Sequence, residues 1–402
     1  MARRIKDSWI REYLRYTENT ESPSMFHLWV GISTIASVID RDVYVNQGFF
    51  KIYPNLYIIL VAGSQECRKS TAINMGESLL RNLPNPPNIV SQKMTPESFI
   101  EAIQPHSRMG DSGIVSMKST ATILAHELSV LIDRDAARNG FIALLVDLYD
   151  CKEDGVPWEY RTKKRGVEEI YNNCINLLGA SSPEYLRISL PPDEIGGGFT
   201  ARTILVYQDK PEKRIAFPVY TEKEAKMKEN LIYDLNEMSK IKGEFQWLPE
   251  SRKWYENWYM TRDTSDVPDG LAPYFVKKAE HLLSVAMILA IAESDDLVLT
   301  PIHLEAALAT LEENEILMPY AMEGLIPTYI GQVNNKVLQV ILRLTRDKGV
   351  ADRSTLLKRL WRDMDSETLT NSLDTLIQAG LVTESREKGG RTIYVPTSPE
   401  IR

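Results

Sequence analysis

Residues 56–83 leave this chain few folds to choose from. Leu56-Tyr57-Ile58-Ile59-Leu60-Val61 is apolar at every position, so neither face can meet water, and it reads as a central strand of a mostly parallel sheet. Gly63-Ser64-Gln65-Glu66-Cys67-Arg68-Lys69-Ser70 follows and matches G-x-x-x-x-G-K-[ST], except that Arg68 stands where the second glycine belongs. Ile73, Leu79, Leu80 and Leu83 then suit a helix, halted by Pro84, Pro86 and Pro87. Strand, loop and helix in that order make an anion site: loop amides and the helix N-terminus face phosphate, a lysine reaches the terminal phosphates, and a hydroxyl reaches Mg²⁺. The candidate ATP-binding residues are therefore Gly63, Ser64, Gln65, Glu66, Cys67, Arg68, Lys69, Ser70 and Thr71. Lys69 also serves catalysis, and Ser70 serves the metal. A bare G-x₅-K-[ST] arises by chance in roughly one chain in five of this length, so the flanking strand and helix carry the assignment. Arg68 would be strained if its place requires positive φ.

Hydrolysis also needs an acid on a neighbouring strand. Ile123-Leu124-Ala125-His126-Glu127 fits, with His126 where an aspartate is usual and Glu127 able to polarise the attacking water. Imidazole is a poor stand-in for an oxygen ligand of Mg²⁺. Glu127 has a plainer reading, as a favourable charge opening a helix over 128–134. The run Ile175–Leu178 leads to Ser181-Ser182-Pro183. A hydroxyl there, beside the phosphate strand, could sense the γ-phosphate, and it could equally cap a helix before Pro183. Arg202, directly before the strand-like run 203–207, could complete a neighbouring subunit's site or form a surface ion pair.

Alternating strands and helices predict an α/β core over 51–220, preceded by a helical segment over 1–50 with helices within 7–39. Residues 221–330 read as almost wholly helical, a helical lid. Beyond a hinge at 327–331, three helices and two strands over 331–402 describe a winged helix. The 402 residues carry a net charge of −8, against a generally basic nucleic-acid coat, yet residues 334–402 hold twelve Lys and Arg against nine Asp and Glu. Three cysteines and five histidines show no metal-ligand spacing. No apolar run reaches the roughly 18 residues of a membrane span, so no membrane partner and a cytoplasmic location are expected. Trp158–Gly166 reads as a hairpin with Arg161, Lys163, Lys164 and Arg165 at its tip, suited to neutralising phosphates of single-stranded DNA; a solvated loop would carry the same charges.

Pro54-Asn55-Leu56-Tyr57, Arg68-Lys69-Ser70, His126-Glu127-Leu128, Leu148-Tyr149-Asp150 and Ala180-Ser181-Ser182-Pro183 together resemble a family of phage and prophage P-loop ATPases regarded as replicative helicases. The likeness runs from about Trp9 to Ile291, and in that family an arginine at the place of Arg68 is usual. The layout is also similar to AAA+ ATPases, above all the minichromosome-maintenance helicases, which end in a winged helix. Their arginine finger precedes a strand as Arg202 does, though Ala201-Arg202-Thr203 matches at the arginine alone. Their second sensor arginine has its nearest counterpart in Lys277 or Lys278. The resemblance implies an ATP- and Mg²⁺-dependent DNA motor, a homo-oligomer read as a hexamer, with the hairpin lining a central channel. The other reading is a nucleotide-controlled switch or loader with slow hydrolysis and a regulatory winged helix.

Overall fold

A computed structural model describes residues 4–397 apart from 6, 64–66, 92–93, 105, 110–114, 133–139, 153, 163–165, 191–196, 263–266, 268–269, 323–328, 347–350, 362–363 and 387–391. Its centre is a five-stranded sheet, ordered Thr203–Tyr207, Tyr57–Val61, Cys174–Ser181, Thr120–Ala125, Ile89–Val90, with every pair parallel. The molecule is thus mixed α/β around a parallel sheet, as expected. All five residues of Tyr57–Val61 and all eight of Cys174–Ser181 are buried, which is why their sequences lack alternation. One detail differs from the sequence expectation. Thr120–Ala125 is the next strand but one from Tyr57–Val61, because Cys174–Ser181 lies between them. Cys174–Ser181 is buried at all eight positions, and a strand on each side satisfies its backbone N–H and C=O groups. Asn176 Oδ1 pins its register by accepting from the Leu56 amide at 3.0 Å.

The helices Trp9–Thr17 and Ser24–Ile39 form within the expected N-terminal segment. The second is buried at nearly every position and packs on both the sheet and the helix Lys69–Arg81. Contact there is close: a Cβ on Gly76 would stand 2.6 Å from Val30 Cγ1 and 2.9 Å from Thr34 Oγ1. The region read as a lid holds the helices Glu222–Met238, Pro249–Thr261, Ala272–Glu293 and Pro301–Ala321. Two short parallel pairings, of 243–244 with 43–44 and of 246–247 with 298–299, interrupt them. Ala272–Glu293 is core for much of its length: His281 Nε2 lies 3.1 Å from the Ala201 carbonyl, and Ser284 Oγ donates to the Tyr53 carbonyl at 2.8 Å. Pro301–Ala321 covers the sheet's Thr203–Tyr207 edge, with Asn314 Nδ2 donating to Leu205 O at 3.0 Å. Among the described residues, no helix is long and apolar enough to cross a membrane.

Residues 1–325 and 326–402 form two compact units. The second contains the helices Tyr329–Arg346, Arg353–Leu360 and Ser366–Gln378 and the antiparallel strands Val382–Arg386 and Thr392–Pro396. Tyr329–Arg346 begins inside the stretch read as a hinge, whose residues 327–328 lie outside the described ones. Its core comprises Val337, Ile341, Leu356, Leu360, Leu369, Leu373 and Leu376 with their neighbours. The three leucines of Ser366–Gln378 point inward, as their spacing predicts. Thr368 is half-buried, while Asn371 and Thr375 share the outer face with Glu367 and Asp374.

Candidate nucleotide site

Tyr57–Val61 delivers the chain at the carboxyl edge of a parallel sheet, where strand ends and helix starts create a crevice. The loop leaves it at Gly63 and enters the helix Lys69–Arg81 through two left-handed residues, Cys67 at φ +58° and Arg68 at φ +46°. The position of the missing glycine therefore does take positive φ. Ser64, Gln65 and Glu66 lie outside the described residues. The N-terminal segment braces the exit of the loop, a role not foreseen from sequence. Ser22 Oγ donates to the Arg68 carbonyl at 2.9 Å, and Arg68 Nε donates to Glu21 Oε2 at 3.0 Å. Hydrogen bonds from the Ile215 amide and from Arg68 hold the Glu21 carboxyl below the usual carboxylate range. Glu21-Ser22-Pro23 reads in sequence as a helix start, and Ser24–Ile39 does begin there. The Ser22 hydroxyl, however, serves the loop rather than the helix.

Lys69 Nζ folds back onto the loop's own carbonyls, donating to Ala62 O at 2.8 Å and Gly63 O at 2.9 Å. Ser70 and Thr71 are exposed. Ser70 Oγ lies 3.5 Å from the carbonyl oxygen of His126, so the helix start touches the end of Thr120–Ala125. Glu127 is exposed, and its side chain makes no hydrogen bond or ion pair among the described residues, although its carbonyl accepts from the Val130 amide at 3.0 Å. The helix it precedes spans only Leu128–Leu131, and its side chain makes no capping bond there. His126 Nε2 is 2.8 Å from Glu77 Oε2 of the loop's helix, a partner that sequence spacing did not suggest.

Ser181 ends its strand opposite Val61, and the Ala62 amide donates to its carbonyl at 3.3 Å. The two serines divide the roles left open by sequence. Ser182 Oγ accepts from the Tyr185 amide at 3.2 Å and caps Pro183–Ser189. Ser181 is 1% exposed, with its hydroxyl on the Ser182 carbonyl at 3.2 Å. Lys69, Ser70, His126, Glu127 and Ser181 thus share one edge of the sheet. Toward a metal-bound nucleotide these residues offer one ammonium and one hydroxyl at the helix start. Among the described residues no group of three His, Cys, Asp or Glu side chains could hold a metal ion by itself.

Arg202 stands at the opposite edge, where Thr203–Tyr207 begins. It pairs with Asp150, and its Nη1 donates to Gly198 O at 3.1 Å. Lys277 Nζ reaches the same carboxylate at 2.9 Å and Glu280 at 2.6 Å. Burial pushes the Asp150 carboxyl up, but hydrogen bonds and charge from Arg202 and Lys277 outweigh it, and the net shift is downward. Lys278 goes elsewhere, to Glu315 at 2.6 Å between two helices. Of the two lysines, then, Lys277 accompanies Arg202. Asp150 and Lys277 line a cleft of about 610 Å³ with Tyr53, Asn55 and Tyr149. Asn55 Nδ2 donates to Tyr149 O at 2.9 Å, joining two of the segments that carry the family resemblance.

The expected hairpin is present as Trp158–Thr162 paired with Gly166–Ile170. Lys163, Lys164 and Arg165 at its tip lie outside the described residues. Arg161 is exposed and paired with Glu159 at 2.7 Å. A second hairpin, His106–Met109 with Val115–Lys118, was not anticipated. The two meet at their bases, where Asn172 Nδ2 donates to Met117 O at 2.8 Å and the Ser119 amide donates to Tyr171 O at 2.9 Å. Compared with protein-family models and with curated proteins, the chain matches none.

Proposed function

We propose that this chain is an ATP hydrolase acting as a DNA motor, a ring-forming replicative helicase of a phage or mobile element. The observation that supports this best is the meeting of Ser70 with the His126 carbonyl, which brings the loop's lysine and hydroxyl to the strand end bearing Glu127, whose side chain has no partner among the described residues. In this reading the Lys69 ammonium exchanges two loop carbonyls for phosphate oxygens. Ser70 would hold the Mg²⁺ that accompanies ATP, whose chemistry there would be to neutralise charge on the phosphates. Glu127 accepts the proton of the attacking water. The Ser181 hydroxyl orients the γ-phosphate. Arg202, at the far edge of its own sheet, serves the site of the next subunit in an oligomer read as a hexamer.

The hairpin carrying Arg161 would track a single strand by phosphate neutralisation. The second unit has the element order of a winged helix. Exposed Glu367 and Asp374 on Ser366–Gln378 disfavour phosphate at that helix, whereas Arg353, Lys358 and Arg359 give the preceding helix a basic surface. A nucleotide-controlled switch is favoured by one observation, that Arg202 and Lys277 are already held within the chain, by Asp150 and Glu280.

ATP turnover measured with and without single-stranded DNA separates the two readings. The motor requires stimulation by DNA, and Lys69→Ala should lower turnover by about 100-fold or more, as expected for loss of a charge aimed at the transferring group. ATP-dependent oligomerisation without stimulation would identify the switch. Undiminished turnover in Lys69→Ala would exclude both.

A further inference from the structure

Imidazole at position 126 leaves the proposed site without the carboxylate that ordinarily orders magnesium, yet a carboxylate reaches the same spot from another element. Glu77 lies seven residues beyond Ser70 on the helix Lys69–Arg81, two turns on and on the same face. Its Oε2 is 2.8 Å from His126 Nε2, and its Oε1 accepts from Arg81 Nε at 2.6 Å. The pair is sheltered, with side chains 15% and 33% exposed. The carbonyl of His126 is itself the partner of Ser70 Oγ at 3.5 Å. Ser70, His126 and Glu77 are therefore contiguous.

We propose that Glu77 is a positioning residue which, acting through His126, takes over the work of the absent aspartate in the ATP-binding site. This rests on the ATPase reading above. A group that accepts a hydrogen bond from metal-bound water needs a lone pair, and the lone pair need not belong to oxygen. With Nε2–H donated to Glu77, the lone pair of a singly protonated imidazole lies on Nδ1, and the carboxylate fixes that tautomer and the orientation of the ring. Nδ1 makes no hydrogen bond among the described residues. The Arg81 contact occupies the other oxygen of Glu77 and restricts its rotation.

Binding of the non-hydrolysable analogue AMP-PNP, measured by calorimetry in Mg²⁺ and in EDTA, tests this without reference to turnover. Glu77→Ala and His126→Ala should each reduce the gain in affinity conferred by Mg²⁺ by about 10-fold or more, leaving the affinity in EDTA and the melting temperature close to wild type. The double variant should be no worse than either single one. His126→Asp restores a direct carboxylate, so adding Glu77→Ala to it should change nothing. A full Mg²⁺ gain in Glu77→Ala, additive losses in the double variant, or continued dependence on Glu77 in the aspartate background would each overturn the proposal. If the wild-type protein fails to bind AMP-PNP in either buffer, the ATPase reading itself is what fails.

Discussion

Arg68 occupies a backbone conformation that a side chain enters at a cost of about 1 kcal/mol relative to glycine. The Ser22 hydroxyl on its carbonyl and the Glu21 carboxylate on its guanidinium hold it there. Ser22 is buried, and removing its hydroxyl costs one hydrogen bond, while the Arg68 carbonyl keeps the Thr71 and Ala72 amides at 3.0 and 3.3 Å. Ser22→Ala should lower stability by about 1 kcal/mol in urea unfolding. It should also raise the KM for ATP several-fold, because the loop loses its fixed exit; an unchanged KM would deny the brace any part in nucleotide binding. Nothing in the composition of Glu21-Ser22-Pro23 announces this role. The three residues look like a helix start because they are one, and their second use depends on a loop 46 residues away in sequence.

The packing of Ser24–Ile39 against Lys69–Arg81 depends on the absence of a side chain at Gly76. Gly76→Ala removes a flexible residue from a helix, which alone would stabilise by up to about 1 kcal/mol. The clash with Val30 and Thr34 should outweigh this and destabilise by about 1–3 kcal/mol net, visible as a lower melting temperature. Two helices carry buried histidines, His27 beside the Thr20 hydroxyl and His281 on the Ala201 carbonyl. Desolvation lowers the pKa of both His27 and His281 to about 4. The unfolded chain takes up these protons near pH 6.5, so the stability they confer is complete above that pH and is lost as pH falls toward 4. The ceiling is about 3 kcal/mol for each. His27→Gln combined with His281→Gln should flatten the acid limb of a stability–pH profile. Tyr57–Val61 was legible because a strand buried on both faces leaves an unbroken apolar run, and Cys174–Ser181 because its run is broken before Gly179 only by Asn176. His106–Met109 and Val115–Lys118 are mostly polar and pair only with each other, so no hydrophobic pattern marks them.

At the scale of the molecule, the parallel sheet and the crevice at its carboxyl edge follow from the run at 56–61 and the loop after it. The place of Cys174–Ser181 beside Tyr57–Val61 was expected from sequence, but that it separates Thr120–Ala125 from that strand was not, since sequence order does not fix strand order. Arg202 was legible as a candidate; its partner Asp150 was not, because the two are 52 residues apart and meet only through the fold. If Arg202 serves a neighbour, mixing wild-type protein with Arg202→Ala should depress ATP turnover more than in proportion to the fraction of variant, whereas a linear decline would make each chain self-sufficient.

The separation of Arg202 from Lys69 by the length of a five-residue strand, about 16 Å, also bears on kinetics. If the chain is an ATPase and Arg202 serves a neighbour, a solitary copy holds its reactant at one end and presents its finishing charge at the other. Specific activity should then climb with protein concentration and fade on dilution, so abundance itself would act as a throttle.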